Sequence, residues 1–324
     1  MPSVLSSINR YLNRLIPVTT PLAVALGMLL PGVFINLRPF VTLLFGIMTF
    51  SGALKLTASE LGAAVKKPVP IILFFVTTHI IMPLAALFSS SLVFDNPDVV
   101  TGFVLLFAGP TAVSGFIWVT IFKGDKALGL TFILLDTLLA PLVVPVTLSV
   151  FLGETVTMDM SGIAISLLFM VVVPTIIAVL LNETSRGKIP QVICPFLDPF
   201  AKICLILVIA ANSSVIAPDI RLNDPLFWGV AVLSIILTTS GFLLGKLSGI
   251  TGRCTNEKET TLIIACGLRN NSAVMTLAVT FFPQAAALPT LLSLIFQQSI
   301  AAIMGKVLIK KNNEPEMKSN TLQD

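Results

Sequence analysis

The sequence predicts an all-α polytopic membrane protein of ten transmembrane helices, and three observations carry that prediction. Of 324 residues, 55% are apolar and only 11% are charged, with a mean hydropathy of +0.98. Apolar windows of about 20 residues, the length of one span, follow one another almost end to end. They are continuous runs rather than alternating ten-residue segments, which selects helices over a barrel. Lys and Arg also sort to one side of these windows.

The windows fall near 15–33, 39–57, 69–91, 99–122 and 127–152, then 160–182, 197–217, 226–249, 260–282 and 286–309. Arg10 and Arg14 precede the first, but that run is long, contains Pro17, Pro21 and Pro31, and offers no small-residue cleavage site. It reads as an uncleaved helix rather than a signal peptide. With ten spans, one side collects Arg10, Arg14, Lys55, Lys66, Lys67, Lys123, Lys126, Arg186, Lys188, Lys246, Arg253, Lys258, Lys306, Lys310 and Lys311, against Arg38 and Arg221 on the other. The positive-inside rule then places both termini in the cytoplasm of an inner (plasma) membrane protein. The outer connections carry Asp95, Asp98, Glu154, Asp159, Asp219 and Asp224 instead. The pI near 8.9 reflects this loop bias and implies no nucleic-acid partner.

Residues 1–14 thus form a cytoplasmic N-terminus, 15–152 a first five-helix repeat, 160–309 a second, and 310–324 a polar tail. An odd number of spans per repeat gives the halves opposite orientations. The segments 58–68 and 183–196 read as cytoplasmic connections, the former an interfacial helix.

Two stretches break the apolar pattern at corresponding places, the fourth helix of each half, and inverted repeats with irregular helices point to a midplane site. In the fourth span Pro110 removes a backbone donor, while Gly109, Ser114 and Gly115 permit either local unwinding or a tightly packed kink. In the ninth, Cys266, Gly267, Leu268, Arg269, Asn270 and Asn271 put a guanidinium at bilayer depth, which costs roughly 2.5 to 3.5 kcal/mol. Asp136 is the acid deepest in any window, so it must pair with a cation or be held protonated for part of the time. An Asp136–Arg269 ion pair is the natural expectation. Asn212, Ser213 and Ser214, with Gln297 and Gln298, add polar groups suited to interhelical hydrogen bonds.

The remaining chemistry-bearing residues read as structural. Cys194, Cys204, Cys254 and Cys266 lack metal-ligand spacing and read as reduced core residues. The single His79, mid-window, excludes a histidine metal cluster and reads as packed and hydrogen-bonded, with a proton-handling role as the alternative. No metal, no cofactor and no enzyme activity is expected, because no HExxH, G-x-S-x-G, Walker loop or membrane-depth aspartate pair is present.

Over residues 14–310, these features resemble the bile acid:sodium symporter family. The resemblance rests on the Pro- and Gly-containing fourth helix running into Phe122, Lys123, Gly124, Asp125, Ala127 and Leu128, and on Leu138, Leu139, Ala140 and Pro141. It rests also on the Cys266–Asn270 core, a variant of the family's Cys-Gly-x-Gln-Asn pattern. It implies a secondary transporter of organic anions, with core and panel domains and a site where broken helices 4 and 9 cross. The family's sodium ligands do not carry over: their positions fall on Gly115, Phe116, Gly129, Ile133, Ala265 and Arg269. A fixed charge repels sodium by about 4 kcal/mol at 4 Å and an effective dielectric of 20, so sodium is not expected at the usual family sites. Arg269 would stand in for the ion, with Asp136 as partner or proton acceptor.

The site predicted for the small organic anion comprises Pro110, Thr111, Ser114, Asn212, Arg269, Asn270 and Asn271, with Asp136 and Arg269 as coupling residues. Proton-coupled or uncoupled transport is compatible with this reading. The competing readings are an arsenite-type efflux carrier, which would call for a cysteine that the fourth span lacks, and a membrane sensor or channel using the same cavity.

Overall fold

The computed structural model describes residues 19–54, 68–153, 159–221 and 223–309. All regular elements among them are helices: α1 (Thr19–Leu29), α2 (Pro31–Ala53), α3 (Pro68–Val93), α4 (Pro97–Ala108), α5 (Gly115–Ile121), α6 (Lys126–Leu152), α7 (Met160–Thr184), α8 (Lys188–Ile216), α9 (Pro225–Thr251), α10 (Asn256–Gly267), α11 (Asn271–Phe281) and α12 (Gln284–Leu308). Seven of these, α2, α3, α6, α7, α8, α9 and α12, are long and apolar enough to cross a membrane. Their outer faces carry exposed Leu43, Phe88, Val150, Phe169, Val192 and Ile236, as suits helices bathed in hydrocarbon.

Local chemistry sets the helix ends. Asn96 caps α4, accepting from the amides of Asp98 and Val99, and Asp125 caps α6 through the Leu128 amide. Asp159 caps α7 from solvent; its bond from the Gly162 amide, helped by the Ser161 hydroxyl, holds its carboxyl below the ordinary value. Proline shapes the interior of α3. Pro83 lacks the N–H that would reach the His79 carbonyl, and the helix widens there into a π-turn over Thr77–Ile81, with the Met82 amide reaching Thr77 five residues back. Pro174 follows a second π-turn, Leu168–Val172, in α7.

The principal core gathers side chains from α1, α2, α4, α6, α7, α8, α11 and α12, including Phe45, Leu105, Val144, Met170, Ile209 and Leu277. Small residues bring backbones together where helices touch most closely. On α9, Gly241 and Gly245 face the α10 backbone: a Cβ at Gly245 would sit 2.6 Å from the Leu262 carbonyl oxygen and 2.9 Å from the Ile263 Cα.

Two sequence readings change. The connection between the sixth and seventh windows shrinks from 183–196 to the turn 185–187, because Lys188–Pro195 already belong to α8. Pro195 and Pro199 lie inside that helix. The first two windows meet at Leu30, not across 34–38, since Pro31 starts α2 and Pro39 is carried within its first turns. The segment 58–67, read as an interfacial helix, lies outside the described residues, as do the tail at 310–324, residues 1–14 and most of the connection between the proposed repeats.

Candidate functional site at the crossing of two interrupted helices

The fourth window is unwound rather than merely kinked. α4 ends at Ala108, Gly109 is extended, and helix resumes at Gly115 after Pro110–Ser114. Gly109 is required here because a Cβ would overlap Val274 of α11. The ninth window is interrupted in the same way, α10 ending at Gly267 and α11 starting at Asn271. Asn270 caps α11 by accepting from the Ala273 amide at 3.3 Å.

The two breaks pair with each other. Thr111 and Arg269 form an isolated antiparallel bridge. The Asn270 amide donates to the Pro110 carbonyl at 2.8 Å and the Ala112 amide to the Leu268 carbonyl at 3.3 Å. The Thr111 hydroxyl is within 3.0 Å of the Ala265 carbonyl and 2.9 Å of that of Leu268. Gln297 of α12 completes the arrangement: its amide accepts from the Arg269 N–H and donates to the Arg269 carbonyl, both at 3.0 Å. Backbone groups freed by unwinding in an apolar interior thereby find partners.

Asp136, fully buried on α6, sits on the other side of this pairing. One carboxylate oxygen accepts from the Thr111 amide at 2.6 Å. The other lies 2.7 Å from Nε2 of His79 at the π-turn of α3. The expected Asp136–Arg269 ion pair is therefore not formed. Both carboxylate oxygens are occupied elsewhere, and the guanidinium turns back to its own helix, where Nη2 donates to the Cys266 carbonyl at 3.4 Å. The negative C-terminal end of α10 favours a cation there. Its Nε and Nη1 are buried without a hydrogen-bond partner among the described residues, and Arg269 as a whole is only 2% exposed.

A cavity of about 220 Å³ lies against the crossing. Of the predicted site residues, Ser114, Arg269, Asn270 and Asn271 line it, joined by Thr20, Thr49, Ser272, Gln297 and Gln298 and by apolar Phe45, Met48, Leu205, Ile209 and Leu294. Pro110 and Thr111 form the paired break rather than the cavity wall. Asn212 is not brought to it: its side chain bonds Thr276 at 2.8 Å and lines a second cavity of about 570 Å³ with Arg38 and Thr280. Asn271 donates to Ser293 at 3.0 Å, its side-chain oxygen buried without a hydrogen-bond partner among the described residues.

Sequence reasoning undervalued two residues. Gln297 read as a bland polar contact, although an amide is the side chain that can satisfy both an N–H and a C=O. His79 read as packed and hydrogen-bonded, as it is, but its link to Asp136 went unseen; Pro83 four residues later was the available signal. Among the described residues no three His, Cys, Asp or Glu side chains cluster as metal ligands would.

Residues 42–221 match the Sodium Bile acid symporter family. Uncharacterized protein YbaS of Bacillus subtilis (strain 168) is 38% identical over 300 residues, 92% of this chain and 98% of that protein. Uncharacterized sodium-dependent transporter YocS of the same organism is 21% identical, with 95% of each chain covered. The probable sodium/metabolite cotransporter BASS1, chloroplastic, of Arabidopsis thaliana is 23% identical over 93% of this chain and 74% of its own.

Proposed function

The chain belongs to the sodium bile acid symporter family and is a multi-pass membrane transporter; from that premise we propose that it carries a small organic anion by alternating access, with the Arg269 guanidinium receiving the anion's carboxylate. One observation carries this reading: Arg269, two of whose buried guanidinium nitrogens have no hydrogen-bond partner among the described residues, is one of the residues lining a cavity at the crossing of two unwound helices. Unsatisfied buried donors of a charged group call for a partner, and a carboxylate accepts two parallel bonds from Arg. A cavity of about 220 Å³ has room for a small carboxylate. Asn270 caps α11 so that its positive N-terminal end also faces the cavity.

The ten-span, inverted-repeat arrangement is part of the same proposal. The interrupted pairs α4–α5 and α10–α11 occupy the fourth place in each half, and their antiparallel pairing suits halves of opposite orientation. Both termini are cytoplasmic in this scheme, in the inner membrane. Sodium does not fill the usual family sites: the sequence puts Arg269 and Ala265 where a sodium-binding relative presents an amide and an acid, and the fixed charge serves in place of the ion.

The test is uptake in proteoliposomes across a panel of labelled small carboxylates, with choline replacing sodium. Wild-type protein is expected to exchange at least one of them equally well in both salts. Arg269→Ala should lose at least tenfold in uptake while inserting into membranes normally. Strict sodium dependence, or undiminished uptake by Arg269→Ala, would remove the guanidinium from this role.

A further inference from the structure

We propose that the buried His79–Asp136 pair is a proton-binding site, and that the proton it takes up is the ion co-transported with the anion held at Arg269. The coupling half of this inference rests on the anion reading above; the proton site itself does not.

The geometry supplies a site and a connection. His79 Nε2 is 2.7 Å from an Asp136 oxygen, the residues being 6% and 0% exposed. His79 Nδ1 is buried with no hydrogen-bond partner among the described residues, so it offers an open lone pair for one proton without breaking any bond. The imidazole lies in a π-turn, where Pro83 has already loosened the helix, and its ring stacks on Phe75 at 5.5 Å between centroids. From Asp136 the chain of contacts continues through the Thr111 amide to the paired breaks that fix the Arg269 backbone.

The surroundings leave few competing charges. α6 presents Asp136, α10 contributes Cys266, and Arg269 follows it in the break; Cys254, in the turn before α10, packs on the same cluster as Phe75. The buried residues of α4 and α9 include no titratable side chain, and at that turn α9 offers only the Ser248 hydroxyl to Thr77, at 2.7 Å.

Charge counting then links proton and substrate. With neutral imidazole the pair carries −1, and together with Arg269 the local charge is zero. A proton on Nδ1 gives imidazolium against carboxylate, a neutral pair, so that the guanidinium's +1 is uncompensated and the cavity favours an anion. Release of the proton restores zero and expels the anion. One proton enters with one monovalent anion, and the cycle moves no net charge.

Because His79 is the chain's single histidine, histidine-selective ¹⁵N labelling of the full chain in nanodiscs, without a histidine tag, reports this one ring. The resonance should pass from the neutral to the charged position on acidification. A ring that keeps one charge state throughout overturns the proposal. In proteoliposomes, an acid exterior one unit below the interior should accumulate labelled pyruvate, lactate or glycolate by about tenfold, the ratio of a one-to-one proton symporter, over protein-free vesicles. His79→Gln, which cannot take up the proton, should lose that accumulation and weaken carboxylate exchange at equal pH, while its melting temperature in detergent stays within a few degrees of wild type. Accumulation by His79→Gln equal to wild type overturns the coupling. If wild type exchanges none of these probes, the anion reading falls alone, and the histidine titration still decides the proton site.

Discussion

At the scale of single residues, the site turns on which polar group answers which. Charge alone paired Asp136 with Arg269, since the sequence offers one deep acid and one deep base. Unwound backbone changes that count, because each freed N–H and C=O competes for partners, and a linear sequence does not show which ones are freed. The Thr111 amide takes one Asp136 oxygen and the Cys266 carbonyl takes one guanidinium nitrogen. Gln297 makes a testable case. In Gln297→Leu the Arg269 N–H loses its partner in an apolar interior, at a cost of about 1 to 3 kcal/mol, while the Arg269 carbonyl keeps its bond from the Asn271 amide at 2.9 Å. The expected result is a clear drop in melting temperature with the helix content unchanged at low temperature, read by circular dichroism in detergent.

At the scale of elements, hydropathy located most helices well and their irregularities less well. Pro110 with Gly109 was compatible with either a kink or a break, and what decides for the break is Gly109 seated against Val274, a contact between residues far apart in sequence. The charged stretch 183–196 looked like a connection because Arg186, Lys188 and two prolines interrupt the apolar run. Helix α8 nevertheless begins at Lys188, because its first turns need only one buried face and Cys194 supplies it. Close approach of α9 and α10 depends on Gly245. Gly245→Val should push the Leu262–Ile263 backbone away and lower the melting temperature, whereas the same change at Gly32, which has open space around its Cβ position, should leave it within a degree or two.

At the scale of the whole molecule, the all-helical membrane character was the most legible feature, since it follows from composition and from continuous apolar runs. The sequence-derived orientation is checked by labelling single cysteines, introduced into a background without the native four, with an impermeant maleimide in intact cells. A cysteine at Asp95 should react from outside and one at Lys123 only after permeabilisation. The reverse pattern would invert the proposed orientation.

The mutual pairing of the two breaks also has a mechanical side. Two backbone bonds and the Thr111 hydroxyl, its one proton shared between the Ala265 and Leu268 carbonyls, tie the fourth-window break to the ninth, and Gln297 ties α12 to the same point. At about 1 kcal/mol for each bond, pulling the two breaks apart would cost roughly 3 kcal/mol, a sizeable share of the stability of an ordinary domain. This knot therefore holds as a unit. The wall that faces it from α2 and α8, with Phe45, Met48, Leu205 and Ile209, is mostly apolar but is tethered to α11 by the Arg38 bond to the Val279 carbonyl at 2.9 Å and the Asn212 bond to Thr276 at 2.8 Å, so any movement of that wall against the knot has to break these two bonds first.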